Sequence, residues 1–229
     1  MFMNEKVTAI IVAAGRGTRM GSDIPKQYMT IAGKTILETT LHKFEKSNYV
    51  DEIILVVNKE EIGYVNMNIA CNYEKITKVL KGGETRTESV YEGIKMSSKN
   101  LGILLIHDGV RPFISYNLIN TIVENAYHYK ACIPVIDVID TIKQVEEGFA
   151  LKTLDRKTLK VVQTPQAFDY ALIRECYDKA IYEDKNFTDD SSIVEFYGYK
   201  VKTIDGLTRN IKITTPLDLR IAEILASIY

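Results

Sequence analysis

TAIIVAAGRGTRMGSDIPKQ, residues 8–27, changes character halfway along. Thr8–Ala13 is a continuous apolar run rich in β-branched residues, which suits a strand buried on both faces of a parallel sheet. The run gives way to three glycines, Gly15, Gly17 and Gly21, and three cations, Arg16, Arg19 and Lys26. Ligands of open α/β sheets bind beyond the carboxyl ends of strands, so this loop is expected at a ligand site. Its content suits an anion. Glycines let backbone N–H groups approach phosphate oxygens closely, and guanidinium and ammonium groups add charge-assisted contacts. Pro25 stiffens the return that presents Lys26.

The pattern downstream predicts the sheet to which that first strand belongs. DEIILVV (Asp51–Val57), KITKVL (Lys75–Leu80), GILLIHDG (Gly102–Gly109) and ACIPVI (Ala131–Ile136) read as further strands. Helical spacing covers Ile36–Phe44, Glu60–Cys71, Glu84–Met96 and Leu118–Tyr129 between them. This alternation predicts an α/β fold with a doubly wound, mostly parallel, Rossmann-like sheet. After Val135 the pattern changes. Asp137–Leu159 alternates apolar and polar residues around Glu147-Gly148, the signature of a β-hairpin with one wet face. It is expected to form a surface ribbon or an arm that docks on a second subunit. Helical rhythm resumes at Tyr170–Tyr182, Asp189–Tyr197 and Pro216–Ile228, with the strand Tyr199–Ile204 before the last of these. No repeat, low-complexity tract or linker interrupts residues 1–229, so a single domain is expected, with 137–159 as a β-arm.

Bulk properties narrow the function. The 229 residues are 46% hydrophobic and 26% charged, a soluble, globular composition. Lys plus Arg number 29 against 30 Asp plus Glu, so no global positive field exists to hold a nucleic-acid polymer. Cys71, Cys132 and Cys176 are scattered and odd in number, which argues against a disulfide framework or a zinc site. There is no apolar stretch of about 18 residues and no signal-peptide layout at the start. The expected compartment is the cytoplasm, with no membrane and no nucleic-acid partner.

Three loop templates compete for residues 13–27. The dinucleotide fingerprint G-x-G-x-x-G is one residue shorter than the spacing here, and Asn58, not an acid, follows the second strand. The P-loop form G-x-x-x-x-G-K-[ST] fits no glycine pair. The form A-A-G-x-G-x-R-M-x…P-K-Q matches throughout. Further motifs are GGETRTESV (82–90), HDGVRP (107–112), DT (140–141), TLDR (153–156), QTPQAF (163–168), TDDSSIVE (188–195) and NIKITTPLDL (210–219). On this ordered set, nearly the whole chain resembles the 2-C-methyl-D-erythritol 4-phosphate cytidylyltransferase family of the non-mevalonate isoprenoid pathway. Val110 is one departure. The expected enzymes usually carry alanine there, whereas the sister ribitol-5-phosphate cytidylyltransferases often carry valine, so that acceptor stays open as an alternative. A nicotinamide-dependent oxidoreductase and a non-catalytic nucleotide-binding regulator are the rivals from other classes.

The resemblance implies a nucleotidyltransferase fold and a transfer of CMP from CTP to a polyol phosphate, releasing pyrophosphate. The acceptor is already ionised, so no general base is needed. Catalysis reduces to aligning two anions and neutralising charge at the α-phosphorus. The implied catalytic residues are Arg19, Lys26 and Lys212, the last read as a lysine in an apolar strand whose ammonium must meet an anion. Nucleotide binding is expected from Ala13, Ala14, Gly15, Gly17, Gly82, Gly83, Arg86, Ser89 and Asp108. Ala14, Gly15 and Gly82 backbone groups, with the Ser89 hydroxyl, would read cytosine, and Arg86 would organise the pocket. Asp108 is also expected to ligate Mg²⁺ or another divalent cation. Asp108, Arg111, Thr141, Arg156, Thr164, Thr188 and Lys212 would hold the acceptor. Thr141 and Arg156 are expected to reach a partner's site from the arm, making a homodimer with shared active sites. His107 is expected to be structural, and Asp189 and Asp190 to cap and favourably charge a helix start.

Overall fold

A computed structural model describes residues 1–15, 24–98, 101–185 and 187–228 of the chain. The first strand, β1 (Lys6–Ala13), is followed by a small ladder of β2 (Thr30–Ile31) and β3 (Lys34–Thr35). Next come α1 (Ile36–Glu45), β4 (Glu52–Val57), α2 (Ile62–Asn68), β5 (Ile76–Lys81), α3 (Arg86–Met96) and β6 (Leu101–Asp108). Then α4 (Tyr116–Tyr129) leads into β7 (Ala131–Asp137). The second half holds β8 (Lys143–Glu146), β9 (Phe149–Thr153), β10 (Lys160–Val162), β11 (Gln166–Asp169), α5 (Tyr170–Tyr182), α6 (Asp190–Phe196), β12 (Lys202–Asp205) and α7 (Pro216–Ile228).

Strands β5, β4, β1 and β6 lie side by side and parallel, as the alternation predicts. Their side chains divide between two cores with the period of two that a strand imposes. Ile11, Ile53 and Leu55 face α1 and α4, packing with Leu37, Phe44 and Ile122. Ile10, Ile54 and Ile106 face the other way, against Val90 and Ile94 of α3 and Ile173 of α5. Each such fully buried side chain contributes roughly 1.5–3 kcal/mol relative to exposure.

The sheet then departs from a simple parallel order. β11 lies between β6 and β7 and is antiparallel to both, while β10 continues along the same edge of β7. Neither strand is visible to periodicity. β11 is four residues long and includes the fully buried Gln166, and β10 has only three residues. β12 pairs parallel with the other edge of β7. The break between β10 and β11 turns Thr164 toward the end of β6, so this inserted strand shapes the functional cleft.

The expected hairpin is present as β8 and β9. Its tip, Glu147-Gly148, has φ of 49° and 85°, the positive pair that a two-residue type I′ turn demands. All nine residues of these two strands are exposed. The NIKIT segment differs from expectation. Residues 210–214 form no strand, but an extended connection into α7, tied down where Ile213 N–H donates to Val110 C=O at 3.0 Å. The tether lies beside a third apolar cluster in which Ile36, Val110, Phe113, Ile213 and Ala222 bring α7 against α1.

Candidate functional site

The carboxyl ends of β1, β5 and β6 meet at a cleft of about 210 Å³. Ala13, Ala14 and Gly15 extend from β1, and Gly83 follows β5. Arg86 and Ser89 come from the first turns of α3, Asp108 ends β6, and Lys26 and Lys212 approach from loops. Gly82 lines an adjoining cavity of about 500 Å³ with Ala14, Gly15, Lys59 and Lys81. Gly17 and Arg19 lie outside the described residues.

Local hydrogen bonds explain how these groups are held. Lys26 begins a short 3₁₀ turn, Lys26–Tyr28, just after Pro25. Its neighbour Gln27 is 1% exposed and donates from Nε2 to Ala13 C=O at 3.0 Å, fastening the turn to the end of β1. The Tyr28 hydroxyl donates to Glu61 Oε2 at 2.7 Å and fixes the far side. At the end of β5, Gly82 N–H donates to Val57 C=O at 2.8 Å. The Gly83 amide donates to Ser89 Oγ, whose hydroxyl donates to Thr85 C=O. A Cβ on Gly82 would stand 2.5 Å from Ala14 Cβ and 2.7 Å from Ser89 Oγ, so only glycine permits this approach. The Gly82 amide and Ser89 hydroxyl are thus engaged in building the loop.

Charge converges on Asp108. Lys212 Nζ is 2.9 Å from its Oδ2, Arg111 Nε is 3.4 Å from the same oxygen, and Arg86 Nε is 3.4 Å from Oδ1. Burial would raise the Asp108 pKa, but Arg86, Lys212 and Arg111 outweigh it and hold the carboxyl well below the usual range. Arg111 is pushed below its ordinary value because burial exceeds the pull of Asp108, yet a guanidinium stays charged at neutral pH. Its Nη1 donates to Asn210 C=O at 2.9 Å.

Asp190 has a larger role than expected. It begins α6, but its carboxylate is fully buried rather than facing water. It accepts both terminal nitrogens of Arg86, at 2.9 and 2.8 Å, and the Tyr177 hydroxyl at 2.5 Å. The clamp aims Arg86 at Asp108. Burial opposes the guanidinium charge, and Asp190 followed by Asp108 overcomes it, raising the Arg86 pKa further. Asp189, as expected, is the N-cap.

Several expected acceptor residues sit elsewhere. Thr164 is 5% exposed, and its hydroxyl is used inside the protein. It accepts from Asp108 N–H at 3.2 Å and lies 2.9 Å from His107 Nδ1. The structure therefore makes it a support for Asp108 rather than an open ligand. Thr188 is exposed, and Thr141 and Arg156 lie on or beside the arm; none of the three lines the chain's own cleft. Arg156 donates instead to Ile139 C=O at 2.5 Å. Gln27, Gln163, Tyr177 and Asn210, absent from the sequence-based site, hold its members in place. Gln163 donates to Leu207 C=O at 2.8 Å, and Asn210 Nδ2 donates to Thr164 C=O at 2.9 Å. Their burial among distant segments left no local signal.

His107 is fully buried, with Nε2 3.2 Å from Arg111 C=O, so that nitrogen carries the proton and Nδ1 accepts from Thr164. Burial lowers its pKa from 6.5 to about 3. The unfolded chain therefore binds a proton below pH 6.5 that the folded chain refuses, so stability is complete above 6.5 and lost as pH falls toward 3. Urea unfolding in EDTA-containing buffer should show His107 costing about 2 kcal/mol between pH 7.5 and pH 5. A His107→Gln chain with the same slope over that interval would refute this assignment.

Asp108 is the residue of the cleft that could hold a divalent ion. Mg²⁺ commonly takes one or two carboxylates and completes its shell with phosphate and water. Asp108 Oδ1 has only a long 3.4 Å arginine contact, Oδ2 is shared between Lys212 at 2.9 Å and Arg111 at 3.4 Å, and Glu84 lines the same cleft. No group of three or more His, Cys, Asp or Glu residues is placed to hold a metal among the described residues.

With this geometry in view, comparison with known proteins is informative. Residues 7–227 match the family model IspD, 2-C-methyl-D-erythritol 4-phosphate cytidylyltransferase. The chain is 46% identical over 221 residues to the protein of that name from Clostridium novyi, covering 95% of each chain. It is 44% identical over 221 residues to that of Caldanaerobacter subterraneus, covering 95% of this chain and 97% of the relative. The crystal structure of 4-diphosphocytidyl-2C-methyl-D-erythritol synthase from Anaerococcus prevotii superposes with a TM-score of 0.87 at 34% identity, covering 97% of this chain and 96% of that one. The Francisella tularensis 2-C-methyl-D-erythritol 4-phosphate cytidylyltransferase superposes at 0.82 with 32% identity, covering 96% and 99%.

Proposed function

The chain belongs to the IspD family, the 2-C-methyl-D-erythritol 4-phosphate cytidylyltransferases, and from that premise we propose how its cleft works. The protein transfers CMP from CTP to 2-C-methyl-D-erythritol 4-phosphate. The products are 4-diphosphocytidyl-2-C-methyl-D-erythritol and pyrophosphate. The observation that carries the reading is the convergence of Arg86, Arg111 and Lys212 on Asp108, in a cleft that Lys26 also lines. Names of relatives at 41–46% identity favour the erythritol acceptor over ribitol 5-phosphate. The side chain of Val110 packs with Phe113 and Ile213 at the wall of the cleft.

An oxygen of the acceptor phosphate attacks the α-phosphorus of CTP. A new phosphorus–oxygen bond forms, the bond to the bridging α–β oxygen breaks, and pyrophosphate carries away that electron pair. No proton need be abstracted, because the acceptor phosphate is ionised at neutral pH. Lys26 holds the triphosphate, joined by Arg19, and Lys212 faces the α-phosphate and the incoming anion. Ala13, Ala14, Gly15, Gly17, Gly82 and Gly83 shape the nucleotide cradle, supported by Ser89 and Arg86. Asp108 would hold a divalent ion, which would neutralise charge on the phosphates.

The reading extends to a homodimer of single-domain, cytoplasmic chains, each a nucleotidyltransferase domain with a protruding arm. Ile139, Val145, Phe149 and Leu151 of the arm are 78%, 57%, 77% and 55% exposed, an apolar surface suited to a second copy. Thr141 and Arg156 would complete the partner's acceptor site together with Arg111 and Thr188. No helix among the described residues is long and apolar enough to cross a membrane.

Pyrophosphate release should require CTP, a divalent cation and methylerythritol phosphate. Ribitol 5-phosphate and UTP should give little turnover, and EDTA should abolish it. Preference for ribitol phosphate would overturn the acceptor assignment. Mixing Lys26→Ala chains with Arg156→Ala chains should restore partial activity through hybrid dimers. No recovery after demonstrated subunit exchange would refute shared sites.

A further inference from the structure

Another basic cavity shares no lining residue with the catalytic cleft. Its volume is about 430 Å³. Lys34 comes from the β2–β3 ladder, Lys43 from α1, and Arg209 from the segment before Asn210. The apolar wall consists of Ile31, Phe113 and Ala226, and no acidic side chain is among the described lining residues. Lys43 Nζ stands 5.5 Å from the centre of the Tyr116 ring. Burial, then the charge of Arg209, lowers the Lys43 pKa. Lys34 and Lys43 also help to lower that of neighbouring His42, after burial. Lys43 thus carries its charge beside an apolar hollow at some cost, and a bound anion would relieve that cost.

We propose that this cavity is an effector site for an amphiphilic phosphate. Its phosphate head sits among Lys34, Lys43 and Arg209, and its apolar body lies against Ile31, Phe113 and Ala226. The route to the catalytic cleft is short. Pro112 and Phe113 follow Arg111 directly, and Arg209 precedes Asn210, whose carbonyl accepts from Arg111 Nη1 at 2.9 Å. Both ends of that hydrogen bond are therefore one residue from the cavity wall. A ligand that moves either wall moves the guanidinium held against Asp108.

The test uses the full chain, saturated with CTP and Mg²⁺, and titrates it calorimetrically with n-octyl phosphate below its micellar concentration. One molecule per chain is expected to bind. Inorganic phosphate, the head alone, and octyl glucoside, the tail with a neutral head, should each bind at least about tenfold more weakly. Lys34→Gln combined with Lys43→Gln should weaken octyl phosphate binding by about tenfold or more while leaving the KM for CTP unchanged. Ala226→Phe, which fills the floor, should also remove binding. Saturating octyl phosphate should change wild-type turnover by about fivefold or more, and the double variant should not respond at that concentration. The proposal is overturned by absent binding, by equal binding to the double variant, by competition with CTP, or by unchanged wild-type turnover at saturation.

Discussion

Lys212→Ala lowers kcat by about 10²–10³, with a much smaller change in the KM for CTP, if the ammonium stabilises charge that develops in the transition state. The geometry favours Lys212 for this task over its neighbours. Arg86 is locked to Asp190 by two bonds of 2.8–2.9 Å, and Arg111 is tied to Asn210. Lys212 reaches Asp108 at 2.9 Å while its side chain remains 37% exposed to the cleft. It can pivot toward an incoming phosphate by giving up that one contact, while Arg86 and Arg111 stay beside Asp108. Ground-state nucleotide binding would be shared with Lys26 and the glycine loop, so the loss falls on turnover. Steady-state pyrophosphate release separates the two constants, and Lys212→Arg should recover part of the rate. A near-normal kcat for Lys212→Ala would mean that the ammonium merely neutralises Asp108.

Asp190→Ala is expected to destabilise the fold by about 3–5 kcal/mol, because removing one member of a buried pair leaves the other without compensation. Tyr177 loses its acceptor, and Arg86 keeps only the long 3.4 Å contact to Asp108. The Arg86 side chain is only 29% exposed, and the Tyr177 hydroxyl is fully buried, with no substitute acceptor in the alanine chain. Burial and the Asp190 carboxylate together raise the Tyr177 pKa, so the phenol stays protonated and must donate. At the size of this chain the loss corresponds to a Tm lower by roughly 10 °C. Asp190→Asn, which keeps an acceptor for Tyr177 but not the charge for Arg86, should lose less. Urea unfolding of both variants measures the difference. A loss below about 1 kcal/mol for the alanine variant would show that the clamp is not what holds Arg86.

Much of the fold follows from local pattern. β1, β4, β5 and β6 are apolar runs between amphipathic segments, and a strand buried on both faces has few other ways to satisfy its backbone. The arm is equally legible, because Glu147-Gly148 can adopt the positive φ pair and the flanking residues alternate. Helix starts are marked by side chains that satisfy free amides, as Thr35 and Glu38 do for α1 and Thr85 and Glu88 do for α3. The cations at strand ends, the glycines beside them and the lone Asp108 could be located because residue type and position relative to a strand suffice.

Other features depend on contacts between residues far apart in the chain. β11 enters the middle of the sheet through pairing with β6 and β7, which its four residues cannot announce. Thr164 looks like a free hydroxyl until His107 and Asp108 close around it, and Asp190 looks like helix-start charge until Arg86, 104 residues away, meets it. The sequence alone therefore determined the parallel strands, the helices and the hairpin, and which charged groups stand at the strand ends, since those depend on neighbours along the chain. Only the tertiary structure decided which of those groups face the cleft and which are consumed in holding it open. That choice rests on burial and on hydrogen-bond partners that only folding brings together.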